Sequence, residues 1–383
     1  MRKIAVITGN RAEYGVLKNI IKKIDNDNEL ELELIVTGAH LSDKYGKTVN
    51  EILNDGFKIS YSIPILMDSN NETSIAKEMG LLMIQLSQVL EKLKPDIILI
   101  LGDRYEIFAV ATTAMVMNIP IAHISGGEIT EGAMDEQIRH AITKMAHIHF
   151  PGAECYAENI KNMGEEKFRI FNVGDPGIEN IKLTKLLTKE EMFNDLGVNV
   201  DEDTLLVAYH PVTLELNDLE KQINNLISAL DRINKKMIIT YPNADCGGKI
   251  IIDKLEDFKK HNSNVYLYKN LGSLKFLSAM NLCGVIVGNS SSALVEAPFL
   301  KKPVVNIGNR QKGRLMADNI ICCDYEIDNM EMAINRAMSK EFKDYVKNIN
   351  SLYGEGNTSS EIVKVLKEID LCDNFLKKKL FWS

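Results

Sequence analysis

The chain lacks the marks of several large protein classes. No stretch approaches the roughly 18 uninterrupted apolar residues of a membrane-spanning helix. Its first segment, MRKIAVITGN, carries an apolar run only of strand length, broken by Thr8 and Gly9, too short for the core of a secretory signal. A cytoplasmic protein with no membrane partner is the expectation. There is no surplus of positive charge either. Lys and Arg number 45 against 53 Asp and Glu, a net charge of −8, which argues against a sequence-independent nucleic-acid binder. The six cysteines (Cys155, Cys246, Cys283, Cys322, Cys323, Cys372) form no C-x-x-C pair and have no histidines at zinc-ligand spacing beside them. They read as reduced structural thiols, and no metal is expected. No G-x-G-x-x-G follows the first apolar run and no G-x-x-x-x-G-K-[ST] occurs anywhere, which disfavours a dinucleotide site of that kind and removes a P-loop nucleotidase.

What is present is ordinary in bulk and regular in pattern. The 383 residues suit two domains, and a composition 45% hydrophobic and 26% charged excludes disordered and fibrous classes. Strand-length apolar runs alternate with helical stretches: 3–9, 31–38, 58–65, 96–102, 120–126, 148–152 and 170–174, then 205–210, 237–242, 264–270, 284–289, 303–308 and 319–323. Most runs are continuously apolar and β-branched, as befits strands covered on both faces by helices. The intervening 14–25, 72–94, 104–117 and 135–146 have helical length and spacing. The expectation is an α/β protein of two Rossmann-like domains. The first comprises 1–175, joined by a C-terminal helix 358–383 capped by Thr358 or Ser359, and the second 176–357. In open sheets of this kind ligands sit outside the carboxyl ends of the strands, so the loops that follow them carry the function.

In the first domain, the loop after the first run holds Arg11, either an anion clamp beside a helix N-terminus or a surface arginine. The fourth run ends in Gly102-Asp103-Arg104, where Asp103 is either an acid or base or the cap of helix 104–117. The fifth ends in His123-Ile124-Ser125-Gly126-Gly127-Glu128, followed by Glu131, Asp135 and Glu136, an unusual density of carboxylates. Asp135 with Arg139 and Glu136 with His140 are spaced for i, i+4 ion pairs, and His123 reads as a hydrogen-bonded core histidine. In the second domain, His210 ends one run and Asn243 lies in the polar turn after the next. Gly288-Asn289-Ser290-Ser291 opens a helix as a cradle for a diphosphate, with Glu296 one turn inside to accept ribose hydroxyls and Arg310 beyond the following run. The ligand these loops call for is anionic and nucleotide-like, with acid/base chemistry supplied by the first domain.

The ordered motifs TGNRAEYG, VTGAHLSDKYG, LGDRYE, HISGGE, MDEQIRHAITKMAHIHF, YHPVT, YPNAD, VGNSSSALVEAP and NIGNRQKGR resemble the hydrolysing UDP-N-acetylglucosamine 2-epimerases of sialic-acid-type sugar synthesis, over residues 3–370. The resemblance implies a glycosyltransferase-B-like arrangement with the active site in the interdomain cleft, and no metal or redox cofactor. It implies a reaction in two stages: removal of the C2 proton with anti-elimination of UDP to 2-acetamidoglucal, then hydration to N-acetylmannosamine with C2 inverted. Carried over by position, Arg11, Arg104, His210, Ser290, Ser291, Glu296 and Arg310 contact the nucleotide, His40 lies near the sugar, and Asp103 and Asp135 are catalytic carboxylates, with His210 able to protonate the departing phosphate. Family members are often homodimers or homotetramers.

One position departs from the family pattern. Many members carry a carboxylate directly before the paired glycines, where this chain has Ser125, so either Glu128 or Glu136 takes over that duty or the step is handled differently. Relatives with this altered loop act on a diacetamido-trideoxy sugar of the legionaminic-acid route, so UDP-2,4-diacetamido-2,4,6-trideoxyglucose is the alternative substrate to UDP-N-acetylglucosamine. A UDP-sugar glycosyltransferase and a non-catalytic nucleotide-sugar binder are the competing classes.

Overall fold

A computed structural model describes the chain except residues 44–45, 68–71, 131–133, 213–214, 243–246, 373 and 381–383. It divides into two units, Met1–Asn180 with Tyr353–Ser383, and Ile181–Leu352.

The first unit is built on six parallel strands, β1 (Arg2–Thr8), β2 (Leu30–Thr37), β3 (Ile59–Ile63), β4 (Ile97–Leu101), β5 (Ile121–Ile124) and β6 (Ile148–Phe150), in the order β3-β2-β1-β4-β5-β6. Every residue of β4 (IILIL) is buried, as two-sided coverage demands. Helix Arg11–Asp25 turns Tyr14, Leu17, Ile20, Ile21 and Ile24 into one core with β1 and β2. Its start is fixed by Asn10, whose side chain accepts from the Glu13 N–H at 3.0 Å. Chain order reverses between β1 and β4, and this switch point opens a crevice beyond the strand ends.

The last helix packs on this first sheet. Helix Thr358–Glu368 buries Ile362, Val363 and Leu366 in the same core as Ile20 and Ile24, each contributing about 1.5–3 kcal/mol by leaving water. It ends at Glu368, well short of 383, because the chain there turns to insert Phe375 against the His147 ring and to lend its carbonyl to the buried Arg169. The N-cap is Asn357, and the Thr358 hydroxyl instead donates to the Val173 carbonyl at 3.0 Å. The run 170–174 is no strand. Only Ile170 bridges to His149, and the chain then leaves the sheet edge through Gly174, at φ +81°.

The second unit repeats the plan with β7 (Leu205–Ala208), β8 (Met237–Thr240), β9 (Val265–Tyr268), β10 (Val285–Gly288), β11 (Val304–Ile307) and β12 (Ile320–Cys323), all parallel, in the order β12-β11-β10-β7-β8-β9. Its switch point lies between β7 and β10. Among the described residues of the chain, no helix is long and apolar enough to cross a membrane.

Candidate active site

At the β1/β4 switch point of the first unit the loops carry charge on a tightly determined backbone. His123 on β5 is fully buried, and its Nε2 donates to the Gly102 carbonyl at 2.8 Å; burial pushes the imidazole down to about 3, so it is a neutral strut beneath the Asp103 loop. Helix Tyr105–Val116 takes Arg104 as its N-cap residue, so Asp103 is not the cap. Asp103 instead accepts from the guanidinium of Arg139, which is 4% exposed. Arg139, spaced to pair with Asp135 one turn away, turns to Asp103 and also donates to the Glu128 carbonyl at 2.9 Å, with Glu136 Oε2 at 3.5 Å.

This arginine gathers the carboxylate-rich segment into one object. Glu136 accepts from the Thr130 N–H and meets His140 Nε2 at 3.0 Å, the expected i, i+4 pair. Burial, and then the like charge of Asp103, push the Asp135 carboxyl above its ordinary range, with Arg104 and Arg139 pulling the other way. Ser125 adopts φ +62°, a left-handed conformation that costs a residue with a Cβ roughly 1–2 kcal/mol. The serine thus sits at a forced turn ahead of Gly126 and Gly127. Glu131 lies outside the described residues.

A cavity of about 650 Å³ adjoins these loops, lined by Asn10, Arg11, Arg104, Tyr105, Glu106 and Glu78 together with Ala39, Leu66 and Ile75. Arg11 is exposed and pairs with Glu51 at 3.0 Å. His40 is fully buried, held between the Thr8 hydroxyl (3.1 Å to Nε2) and the Thr48 hydroxyl (2.9 Å to Nδ1), and burial pushes it down to about 4. At neutral pH it is uncharged, and it lies behind the cavity lining, under Thr48, not in the wall itself.

In the second unit, the ends of β7 and β10 are bolted together by Asn289. The His210 N–H donates to Asn289 Oδ1 at 2.7 Å and the Asn289 amide returns a bond to the His210 carbonyl at 2.9 Å. The Asn289 carbonyl accepts from Arg310 Nη1 at 3.0 Å and from Gln311 Nε2 at 2.8 Å. Asn289 thus positions His210 and Arg310. Gly288, at φ +138°, is required because a Cβ there would strike the Ala208 carbonyl. Ser290 and Ser291 precede helix Ser292–Phe299, and the Ser291 hydroxyl makes no cap bond, while Glu296 stands one turn further in. Asn243 lies outside the described residues. No group of three or more His, Cys, Asp or Glu among the described residues is arranged to hold a metal.

Sequence reasoning missed the central role of Arg139 and the structural role of Asn289. Arg139 had a signal: it shares the buried stripe of its helix with Ile142, three positions on, and a buried arginine must find a carboxylate inside.

Two six-stranded parallel sheets of identical strand order, each with polar loops at its switch point, define an α/β protein of two Rossmann-like units. The family model described as UDP-N-acetylglucosamine 2-epimerase matches residues 22–367, and the chain belongs to that family. It is 42% identical over 380 residues, 98% of each chain, to the GDP/UDP-N,N'-diacetylbacillosamine 2-epimerase (hydrolyzing) of Campylobacter jejuni. It is 35% identical over 378 residues, 99% of each chain, to the UDP-N,N'-diacetylbacillosamine 2-epimerase (hydrolyzing) of Legionella pneumophila. Among solved structures, the UDP-GlcNAc 2-epimerase of Neisseria meningitidis bound to UDP-GlcNAc shares the fold, with a TM-score of 0.78 at 20% identity over 96% of this chain and 100% of that one.

Proposed function

We propose that the enzyme is a hydrolysing 2-epimerase of UDP-N,N'-diacetylbacillosamine, the alternative substrate of the sequence reading, with UDP-N-acetylglucosamine as the second candidate. The single observation that carries this is the full-length identity of 42% to a hydrolysing epimerase of that sugar. The apolar side chains of Leu66, Ile75 and Ala39 in the cavity wall are consistent with a 6-deoxy hexose, whose methyl group gains by leaving water where a hydroxyl would lose.

In this reading one carboxylate takes the C2 proton. The C1–O bond breaks with its electron pair leaving on UDP, and a 2-acetamidoglucal-type intermediate forms. Water then adds, its hydroxyl to C1 and a proton to C2 from the opposite face, releasing the free sugar. Asp103, oriented by Arg139, and Asp135 are the proposed pair, and a carboxyl with raised proton affinity suits Asp135 to proton donation. Glu128 or Glu136 takes the duty displaced by Ser125, and Glu136 is the one held by Thr130, His140 and Arg139. UDP is held by the loops of the second unit, with His210 on the departing phosphate, Ser290, Ser291 and Arg310 on the diphosphate and Glu296 on the ribose.

The test is incubation with each UDP-sugar in deuterated water. Release of free sugar carrying deuterium at C2, faster from the diacetamido substrate, supports the proposal. Transfer without C2 exchange would make the protein a glycosyltransferase, and UDP binding without turnover a nucleotide-sugar binder.

A further inference from the structure

The cavity of the first unit has a buried carboxyl behind it that the proposed chemistry does not use. Glu13, on the first turn of helix Arg11–Asp25, is only 7% exposed. Its Oε2 accepts from the Gly9 N–H at 2.7 Å, and its Oε1 accepts from the Asn10 side-chain amide at 2.6 Å and stands 3.9 Å from Arg104 Nε. A second carboxylate, Glu106, 1% exposed, grips the same guanidinium through Nε at 3.2 Å and Nη2 at 3.3 Å. Gly38, at φ +58°, permits this crowding: a Cβ there would stand 2.8 Å from the Gly9 carbonyl oxygen and 3.3 Å from Glu106 Oε1.

Two buried carboxylates thus share one guanidinium, and that guanidinium lines the cavity. We infer that Glu13 is a positioning residue that holds the β1 loop against Arg104 and, through its own charge, sets how strongly Arg104 is available to the anionic part of a UDP-sugar. This rests on the reading of Arg104 as a substrate contact.

The electrostatics follow from the count of charges. Burial pushes the Glu13 carboxyl up to about 7, the Gly9 N–H opposing, the Glu106 charge adding to the rise and Arg104 opposing it. The other titratable ring near this loop, His40, is pushed down to about 4 and is neutral throughout the range that matters. When Glu13 holds a proton, Arg104 faces one carboxylate and draws an incoming anion strongly. When Glu13 is ionised, the guanidinium is shared with a second internal anion and draws it less. Anion binding and proton uptake by Glu13 are therefore coupled and reciprocal.

The experiment measures kcat and KM of the full chain between pH 6 and 8.5 with whichever UDP-sugar the wild type turns over, for wild type, E13Q and E13D. A UDP-sugar diphosphate does not itself titrate in this range. In the wild type KM rises about fivefold as pH passes through 7, a coupling of ordinary size. In E13Q that step in KM is gone while the pH profile of kcat keeps its wild-type shape. In E13D, whose shorter side chain withdraws the charge from Arg104, KM above pH 7 is lower than in the wild type and its rise with pH is smaller. An E13Q profile that superimposes on wild type overturns the inference and leaves the epimerase reading standing. If E13Q does not fold, an E13D enzyme with wild-type KM overturns it equally. A wild type that turns over neither UDP-sugar removes the underlying reading instead.

Discussion

Asp103 and Arg139, 36 residues apart in sequence, form an ion pair in the first unit, and the same arginine holds the backbone of Glu128. One buried cation therefore fixes the loop after β4, the loop after β5 and the helix Met134–Met145 against each other.

Replacing Arg139 tests this arrangement. Arg139→Met leaves Asp103 without its orienting partner and loosens the Glu128 loop; kcat falls about 100-fold, the scale of a small misplacement of reacting groups. UDP affinity, assigned to residues other than Arg139, stays within about twofold, inside the uncertainty of independent sites. Arg139→Lys recovers part of kcat but lacks the fork. Steady-state kinetics paired with a UDP titration checks this, and a wild-type kcat in Arg139→Met would remove the arginine from the site.

Asp135→Asn separates proton transfer from binding. The variant keeps the shape of the side chain and loses the proton, so turnover drops about 100- to 10,000-fold, the usual worth of a general acid or base, with little change in UDP affinity. In the wild type the raised proton affinity of Asp135 extends the range in which it carries a proton toward higher pH, and activity that needs this proton declines as pH rises through that pKa. Equal loss of turnover and of UDP affinity would mean that Asp135 binds and does not react.

In the second unit, Asn289→Ala cuts the reciprocal side-chain bonds to the His210 backbone and leaves the main-chain carbonyl that accepts from Arg310. UDP binding, read by calorimetry, weakens by about 1–3 kcal/mol, and thermal stability falls with it because the buried His210 N–H and carbonyl lose partners. Glu296→Ala weakens UDP binding by a similar 1–3 kcal/mol through loss of charge-assisted bonds. Unchanged UDP affinity in Glu296→Ala would refute the ribose assignment.

Glu165 offers a test of stability away from the chemistry. Its carboxylate, 1% exposed, faces His149 Nε2 at 3.1 Å, Lys144 Nζ at 2.5 Å and Lys378 Nζ at 2.7 Å. Burial works against its charge, yet these hydrogen bonds hold it down to about 2 against an ordinary 4.5. The sign is that of a depressed acid: its contribution is whole above about pH 4.5 and is lost as pH falls toward 2. Glu165→Gln leaves charges without a partner and destabilises the first unit by about 3 kcal/mol at neutral pH. Denaturant melts at pH 7 and pH 3 show a large difference between variant and wild type at the first and a small one at the second.

The strands were largely readable because burial on both faces forces a continuous apolar run: of the twelve strands among the described residues, ten fall inside runs seen in the sequence, and β1 and β2 start one residue earlier. The thirteenth run, 170–174, carries the same apolar character but lies where the sheet has ended, a tertiary fact that no local pattern encodes. The candidate site was legible as loops after strands, since parallel α/β topology fixes where function sits. Its wiring was not: Asp103 with Arg139, and His210 with Asn289 at a separation of 79 residues, depend on which strands become neighbours. Local spacing suggested Asp135 for Arg139, and the buried side of the helix decided otherwise. The charge sharing among Glu13, Arg104 and Glu106 was hidden for the same reason, since its members come from two different strand ends.

The return of helix Thr358–Glu368 to the first sheet has a consequence for biosynthesis. While the ribosome is still making the second unit, the amino-terminal sheet is missing the wedge formed by Ile362, Val363 and Leu366, and the core that holds Ile20 and Ile24 lacks that part of its cover. The contiguous half, Ile181–Leu352, has all its own strands as soon as it emerges, so it completes before the half that was translated first. Completion of the amino-terminal half therefore waits until the segment from Tyr353 onward has been made.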